Sequence, residues 1–168
     1  MSQYTVRAAD PGDAPAIGRI AERTWQAAYG DSLSTESIER AMANWYDEAG
    51  TRRSITQEDI GYFVAEREET IIGYVSGSGD DDADRGLLGA IYVRPDWWNE
   101  GVGTALLDAF EEFCLDHGYR ELQFHVLAAN DTGKSFYRKH GYESVETEQT
   151  ELFGEEVSQH VFRGPIEG

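Results

Sequence analysis

Residues 87–127 carry three apolar patterns in succession, and their order narrows the architecture sharply. Residues 87–93 are almost wholly apolar, as expected of a central strand covered on both faces, and the run stops at Arg94-Pro95. Val102, Leu106, Phe110, Phe113, Cys114 and His117 then recur at helical spacing, forming one face closed by Gly118. Residues 122–127 alternate Leu122, Phe124 and Val126 with Gln123 and His125, the period of a strand. Strand, helix and strand in this order require a sheet with helices packed on it.

The flanking sequence extends that sheet on both sides. Residues 4–7 read as a short first strand, and Asp10-Pro11-Gly12-Asp13 supplies an N-cap and a proline for the helix that follows. The stripe of that helix is Ile17, Ile20, Ala21, Thr24, Trp25 and Ala28. Ser34 and Thr35, followed by Glu36 and Glu39, open a second helix reaching about Trp45, whereas residues 47–59 carry no period and are expected to be loop. Residues 62–66 and 70–78 flank the polar turn Arg67-Glu68-Glu69, a hairpin signal. A short helix over 132–140 ends at Gly141, and strands near 142–152 and 157–163 complete the chain. The expectation is an α/β fold of one domain, residues 1–168, with a central mixed sheet of about seven strands flanked by about four helices.

Charge excludes whole classes of partner. The chain has 32 acidic and 14 basic residues, a formal charge of −18, which repels phosphate backbones and anionic membranes, so neither nucleic acid nor membrane is an expected partner. Only Lys134 and Lys139 among the basic residues are lysines; so acidic a surface suggests a salt-rich cytoplasm, an ordinary acidic protein being the alternative. No stretch approaches 18 apolar residues and Met1-Ser2-Gln3-Tyr4 opens no signal peptide, so a cytoplasmic protein is expected. Cys114 falls among Phe110 and Phe113 on the helical stripe and reads as core. The run Gly79-Asp80-Asp81-Asp82-Ala83-Asp84 lacks the ligand spacing and distal glutamate of a calcium loop and reads as a solvated turn, so no metal is expected.

Between the first strand and helix of the central unit lies Pro95-Asp96-Trp97-Trp98-Asn99-Glu100-Gly101-Val102-Gly103-Thr104. A helix start exposes unpaired N–H groups and partial positive charge, and Gly101 and Gly103 let a bulky anion approach the backbone. The same glycines also suit a tight strand-to-helix turn with no ligand. A dinucleotide fingerprint is excluded, because its third glycine would fall at Leu106. Ala128-Ala129-Asn130-Asp131-Thr132-Gly133-Lys134-Ser135 nearly spells a P-loop, but its first glycine is Ala128 and too little chain follows for an NTPase sheet.

Ala90-Ile91-Tyr92-Val93-Arg94-Pro95, the Gly101-x-Gly103 turn, and Asn130-x-x-Gly133-x-x-Phe136-Tyr137-x-x-x-Gly141-Tyr142, in this order, resemble the two cofactor motifs of the GNAT superfamily of N-acetyltransferases. The resemblance spans nearly the whole chain, and Thr24-Trp25-Gln26-Ala27-Ala28-Tyr29 is similar to a segment of small-molecule members. It implies an acetyl-CoA cosubstrate lodged in a wedge between parallel strands that splay apart, one holding Ile91 and the other His125. Ile91 and Val93 would pair with pantetheine through backbone groups, amides of Trp98, Asn99, Glu100, Gly101, Val102, Gly103 and Thr104 would hold the pyrophosphate, and Asn130 would contact pantetheine. Tyr137 would act as general acid toward the departing thiolate. Trp98 stands where the family usually has Arg or Gln, Asn99 where it has a small residue, and Glu100 adds a negative charge.

The implied reaction is direct attack by an amine of a small molecule or peptide, with amides of the Ile91 strand stabilising the developing oxyanion. Some members place a glutamate base where this chain has Leu87. His125 is the candidate base by its ordinary pKa range, with a structural histidine, Glu66 or a water chain as alternatives. Trp25 and Tyr29, one turn apart, are candidates for the acceptor pocket or for core packing. A homodimer is left open, as is a second function, a non-catalytic acyl-CoA sensor on the same fold.

Overall fold

The computed structural model describes residues 4–166 apart from 30–32, 46, 81, 99, 129 and 153. Strand β1 (Thr5–Ala8) leads through a 3-10 turn into helices α1 (Ala14–Tyr29), α2 (Thr35–Trp45) and α3 (Glu48–Ile55). Strands β2 (Gly61–Arg67), β3 (Thr70–Asp80) and β4 (Arg85–Val93) follow, then α4 (Val102–Asp116), β5 (Glu121–Leu127), α5 (Asp131–Lys139), β6 (Glu143–Leu152) and β7 (Glu155–Pro165). The strands form one seven-stranded sheet in the order β1-β2-β3-β4-β5-β7-β6. Among the described residues only β4 and β5 run parallel, joined by the crossover through α4, so the sheet is mixed.

Helices cover both faces. Leu106, Phe110 and Cys114 of α4 pack on Leu122, Phe124 and Phe162, while Ile17, Ile20 and Ala21 of α1 pack on Val64, Ile71, Tyr74 and Ala90 of the other face. The stripe of α2, Ile38 and Ala41, closes over Trp25 with Tyr92, Leu127 and Val157 around it. Burial of a Leu, Ile or Phe side chain stabilises by about 1.5–3 kcal/mol, so these two layers supply most of the driving force.

Residues 47–59 contradict the expected loop, since α3 occupies most of them and makes five helices among the described residues. This helix is held at its ends. Asp47 caps it by accepting from Gly50 N–H at 3.0 Å, Glu48 pairs with Arg52 at 3.1 Å, and Arg52 and Arg53 lie where the dipole is negative. The predicted hairpin has a two-residue turn: Arg67 pairs with Thr70, and Glu68 (φ 49°) and Glu69 (φ 65°) both take the left-handed conformation such a turn demands. No helix among the described residues is long and apolar enough to cross a membrane.

Candidate active site

One extra residue in β4 shapes the site. Ser76 of β3 pairs with Ala90 but Gly77 pairs with Leu88, so Gly89 is a β-bulge with no partner of its own. A Cβ on Gly77 would lie 2.5 Å from the Leu87 carbonyl, so β3 and β4 approach more closely there than any larger residue permits. The bulge swaps the faces of β4. Leu88 packs with the α4 layer before it, whereas beyond it Ala90 and Tyr92 face α1, and Ile91 and Val93 join the α4 layer.

The bulge coincides with the end of the parallel ladder, which comprises Arg85–Glu121, Gly86–Leu122 and Leu87–Gln123. Beyond Leu87 the two strands part. Arg94 N–H donates to Ile72 C=O at 2.8 Å, and the alternation of an antiparallel ladder then turns the backbone groups of Ile91 and Val93 away from β3 and into the gap. The Val93 carbonyl accepts from the Trp98 indole N–H at 2.7 Å, which leaves the Ile91 N–H and C=O and the Val93 N–H facing the opening.

At the wide end of this gap α4 begins. Its N-cap is Gly101 in the left-handed conformation (φ 82°), and no side chain caps it. The first helical hydrogen bond runs from Ala105 N–H to Gly101 C=O, so the amides of Val102, Gly103 and Thr104 have no acceptor within the helix. Three donors with the positive end of the dipole make an anion cradle. Of the other amides expected there, that of Trp98 donates to Pro95 C=O at 3.2 Å and Asn99 lies outside the described residues. Glu100 is exposed to solvent.

Helix α5 packs against this cradle. A Cβ on Gly103 would come within 3.2 Å of the Phe136 ring, and Thr104 Oγ1 lies 3.1 Å from His140 Nε2. Asn130 caps α5, its Oδ1 accepting from Gly133 N–H at 2.9 Å, so its amide nitrogen is the part left for a ligand. Tyr137 is 9% exposed, its ring centred 4.3 Å from Phe124. Phe124 is the first residue of β5 beyond the ladder, so Tyr137 stands where the strands part.

His125 points to the opposite face of β5 from Phe124 and Tyr137. It is half exposed, with Nε2 3.4 Å from Glu148 of β6, a carboxylate that also accepts from Gln159 Nε2 at 2.6 Å. Glu66 pairs with Arg7 at 3.0 Å on β2, two strands from β4, and does not reach the wedge. Trp25 is buried, donates its indole N–H to the Tyr92 hydroxyl at 2.8 Å and packs with Leu33 and Ile38, which makes it a support for Tyr92. Tyr29 is the last residue of α1, and its side chain lies outside the described residues. Burial pushes the Cys114 thiol up to about 12, aided by the charge of Glu111, so it is no nucleophile. Sequence reasoning missed Tyr92, His140 and Glu148. The first was hidden in an apolar run, and the other two acquire meaning only from partners distant in the chain.

The pattern of the acetyltransferase (GNAT) family matches residues 16–142, from α1 through the second cofactor motif. The chain belongs to the GNAT family. Among curated members, a spermidine N(1)-acetyltransferase of Thermoplasma acidophilum is 24% identical over 147 residues, covering 85% of this chain and 90% of the relative. An aminoglycoside N(6')-acetyltransferase type 1 of Stenotrophomonas maltophilia is 29% identical over 145 residues, covering 86% and 90%. Among solved GNAT structures, the PaiA N-acetyltransferase of Thermoplasma acidophilum in complex with coenzyme A superposes with a TM-score of 0.85 at 23% identity, over 98% of this chain and 99% of that one. The ribosomal-protein-S18-alanine N-acetyltransferase of Escherichia coli gives 0.74 at 17% identity over 99% and 96%. The seven-stranded mixed sheet is thus a GNAT fold, and the chain is of the acetyltransferase class.

Proposed function

We propose that this protein transfers the acetyl group of acetyl-CoA to a primary amine of a small molecule or peptide. The observation that carries this reading is the alignment of two features: a gap lined by free backbone groups of Ile91 and Val93, and the three uncapped amides of Val102, Gly103 and Thr104 at its wide end. A slender amide-bearing arm that ends in a pyrophosphate matches both, so the residues fit pantetheine and its phosphates. Acetyl-CoA supplies an activated acyl thioester.

The chain's own groups then divide the work. The Ile91 strand holds the arm by main-chain pairing and aims an N–H at the carbonyl oxygen, where negative charge develops. The amide nitrogen of Asn130 grips pantetheine, and the Tyr137 hydroxyl delivers a proton to the sulfur. His125, on the other face and beside Glu148, takes the proton from the incoming ammonium. An acceptor arriving from the α1 side and a thiolate leaving on the α5 side keep the two proton transfers apart. Two relatives are named for polycationic amines, spermidine and aminoglycosides, and an envelope of 32 carboxylates enriches such cations near the protein. A small cationic amine is therefore the favoured acceptor.

Leu87 at the position where some members have glutamate, and the carboxylate of Glu100 beside the cradle, favour a second reading, an acyl-CoA sensor without turnover. Calorimetry with acetyl-CoA and an acetylation screen over polyamines, aminoglycosides and peptides separate the two. Binding with turnover of cationic amines is expected; binding without turnover supports the sensor, and absence of binding overturns both.

A further inference from the structure

Resting on the cofactor reading above, we propose that His140 is a positioning residue for the cofactor's pyrophosphate, acting through the hydroxyl of Thr104. Thr104 belongs to the first turn of α4, its amide is one of the three uncapped donors, and its Oγ1 lies 3.1 Å from His140 Nε2. A threonine hydroxyl has one proton to give. If Oγ1 donated that proton to the imidazole, its lone pairs would meet the anion and repel it. If Nε2–H donates to Oγ1, the threonine proton is free to turn toward the cradle, and the bond it accepts polarises it into a better donor. An anion in the cradle selects the second arrangement, and the cradle gains a fourth donor.

The imidazole is held for this task. His140 closes the C-terminus of α5, its N–H donating to Tyr137 C=O at 3.1 Å, directly before Gly141 in the left-handed conformation (φ 92°). Its ring lies 4.7 Å from that of Phe136, and Phe136 also fills the space over Gly103. Phe136 thus fixes the histidine and the helix start to each other. The arrangement also ties the two cofactor motifs together, since one partner comes from each.

A packing role and a positioning role part company when the ligand loses its phosphates. Acetyl-CoA binding is measured by calorimetry, and S-acetylpantetheine, which has no phosphate, by its displacement of acetyl-CoA, for the wild type, His140→Ala, His140→Gln and Thr104→Val. A hydrogen bond to a charged group is worth enough that His140→Ala weakens acetyl-CoA on the order of tenfold, with S-acetylpantetheine unchanged. Glutamine, whose amide can donate in place of Nε2–H, restores most of the loss. In the Thr104→Val background the histidine substitution adds nothing further. Equal losses for both ligands, no rescue by glutamine, or additive losses in the double variant each overturn the proposal. If His140→Ala does not fold, the phosphate-selective loss in Thr104→Val and the near-wild-type affinity of His140→Gln carry the test. A wild type that binds no acetyl-CoA defeats the cofactor reading itself, a result distinct from all of these.

Discussion

Tyr137→Phe removes one oxygen from the point where β4 and β5 part, and the structure separates its effect on catalysis from its effect on folding. The ring stays where it is: its packing on Phe124 (4.3 Å), Phe136 (5.3 Å) and Phe162 (6.2 Å) does not involve the hydroxyl. Stability should therefore fall by no more than a net hydrogen bond, about 0.5–1.5 kcal/mol. At about 2–4 °C per kcal/mol for a domain of this size, that shifts Tm by roughly 1–6 °C. If the hydroxyl protonates the leaving sulfur, kcat should fall by about 10² to 10⁴, or about 3–5 kcal/mol of barrier. Acetyl-CoA affinity should hold, since the cradle and the Ile91 backbone are untouched. Initial rates with a good acceptor, a melting curve and calorimetry on one preparation give all three quantities. A variant with unchanged kcat and a lowered Tm refutes the general-acid role and leaves Tyr137 as core.

Other consequences can be checked singly. Gly101→Ala forces a left-handed conformation on a residue with a Cβ whose nearest neighbour, the Tyr4 hydroxyl, is 3.7 Å away, so strain alone of about 1–2 kcal/mol should appear as a lower Tm; an unchanged Tm contradicts it. Ser37, Ser34 and the Ser34 amide hold the Glu155 carboxyl below its ordinary value of 4.5, so its contribution is present above that pH and is lost as pH falls through the lower folded value. Glu155→Gln should flatten that part of the melting profile relative to the wild type, and identical profiles would refute it. Cys114, fully buried with its thiol pushed up to about 12, should resist iodoacetamide at pH 8 until denaturant is added; rapid labelling of the native protein refutes this. Raising KCl from about 0.01 M to 1 M shortens the screening length from about 30 Å to about 3 Å and should raise Tm for a chain with a formal charge of −18, whereas a flat midpoint removes the salt-adaptation idea.

How much of this was legible in the chain depends on the range of the forces involved. The strand, α4 and strand of the central unit, the β2–β3 hairpin and the glycine stops at Gly118 and Gly141 are local pattern, and the structure has them in place. Helix α3 was missed because Thr51 is its one buried residue and Ile55 only partly packs on the α1 layer, so it has no stripe to read and is marked mainly by its Asp47 cap. The bulge at Gly89 was invisible for the opposite reason. In a run where nearly every residue is apolar, a change of face leaves no trace in the alternation. The two motifs were readable as spacing, but the polar groups already engaged within the protein were not: the Trp98 amide donates to Pro95 C=O, and the Asn130 Oδ1 accepts from Gly133 N–H. His125 beside Glu148 and Thr104 beside His140 join residues 23 and 36 positions apart, which only the folded sheet and helices bring together.

The gap between β4 and β5 presents main chain, and every residue type carries the same N–H and C=O, so on the proposed reading the grip on the cosubstrate depends on the backbone path of β4 and not on which core side chains its residues carry. On the proposed reading, the acceptor meets a separate set of positions, in α1, α2 and the far face of β5. If that reading holds, the acceptor amine can change while the acyl donor is kept, and an engineer redirecting this chain would leave β4 alone and vary the opposite wall.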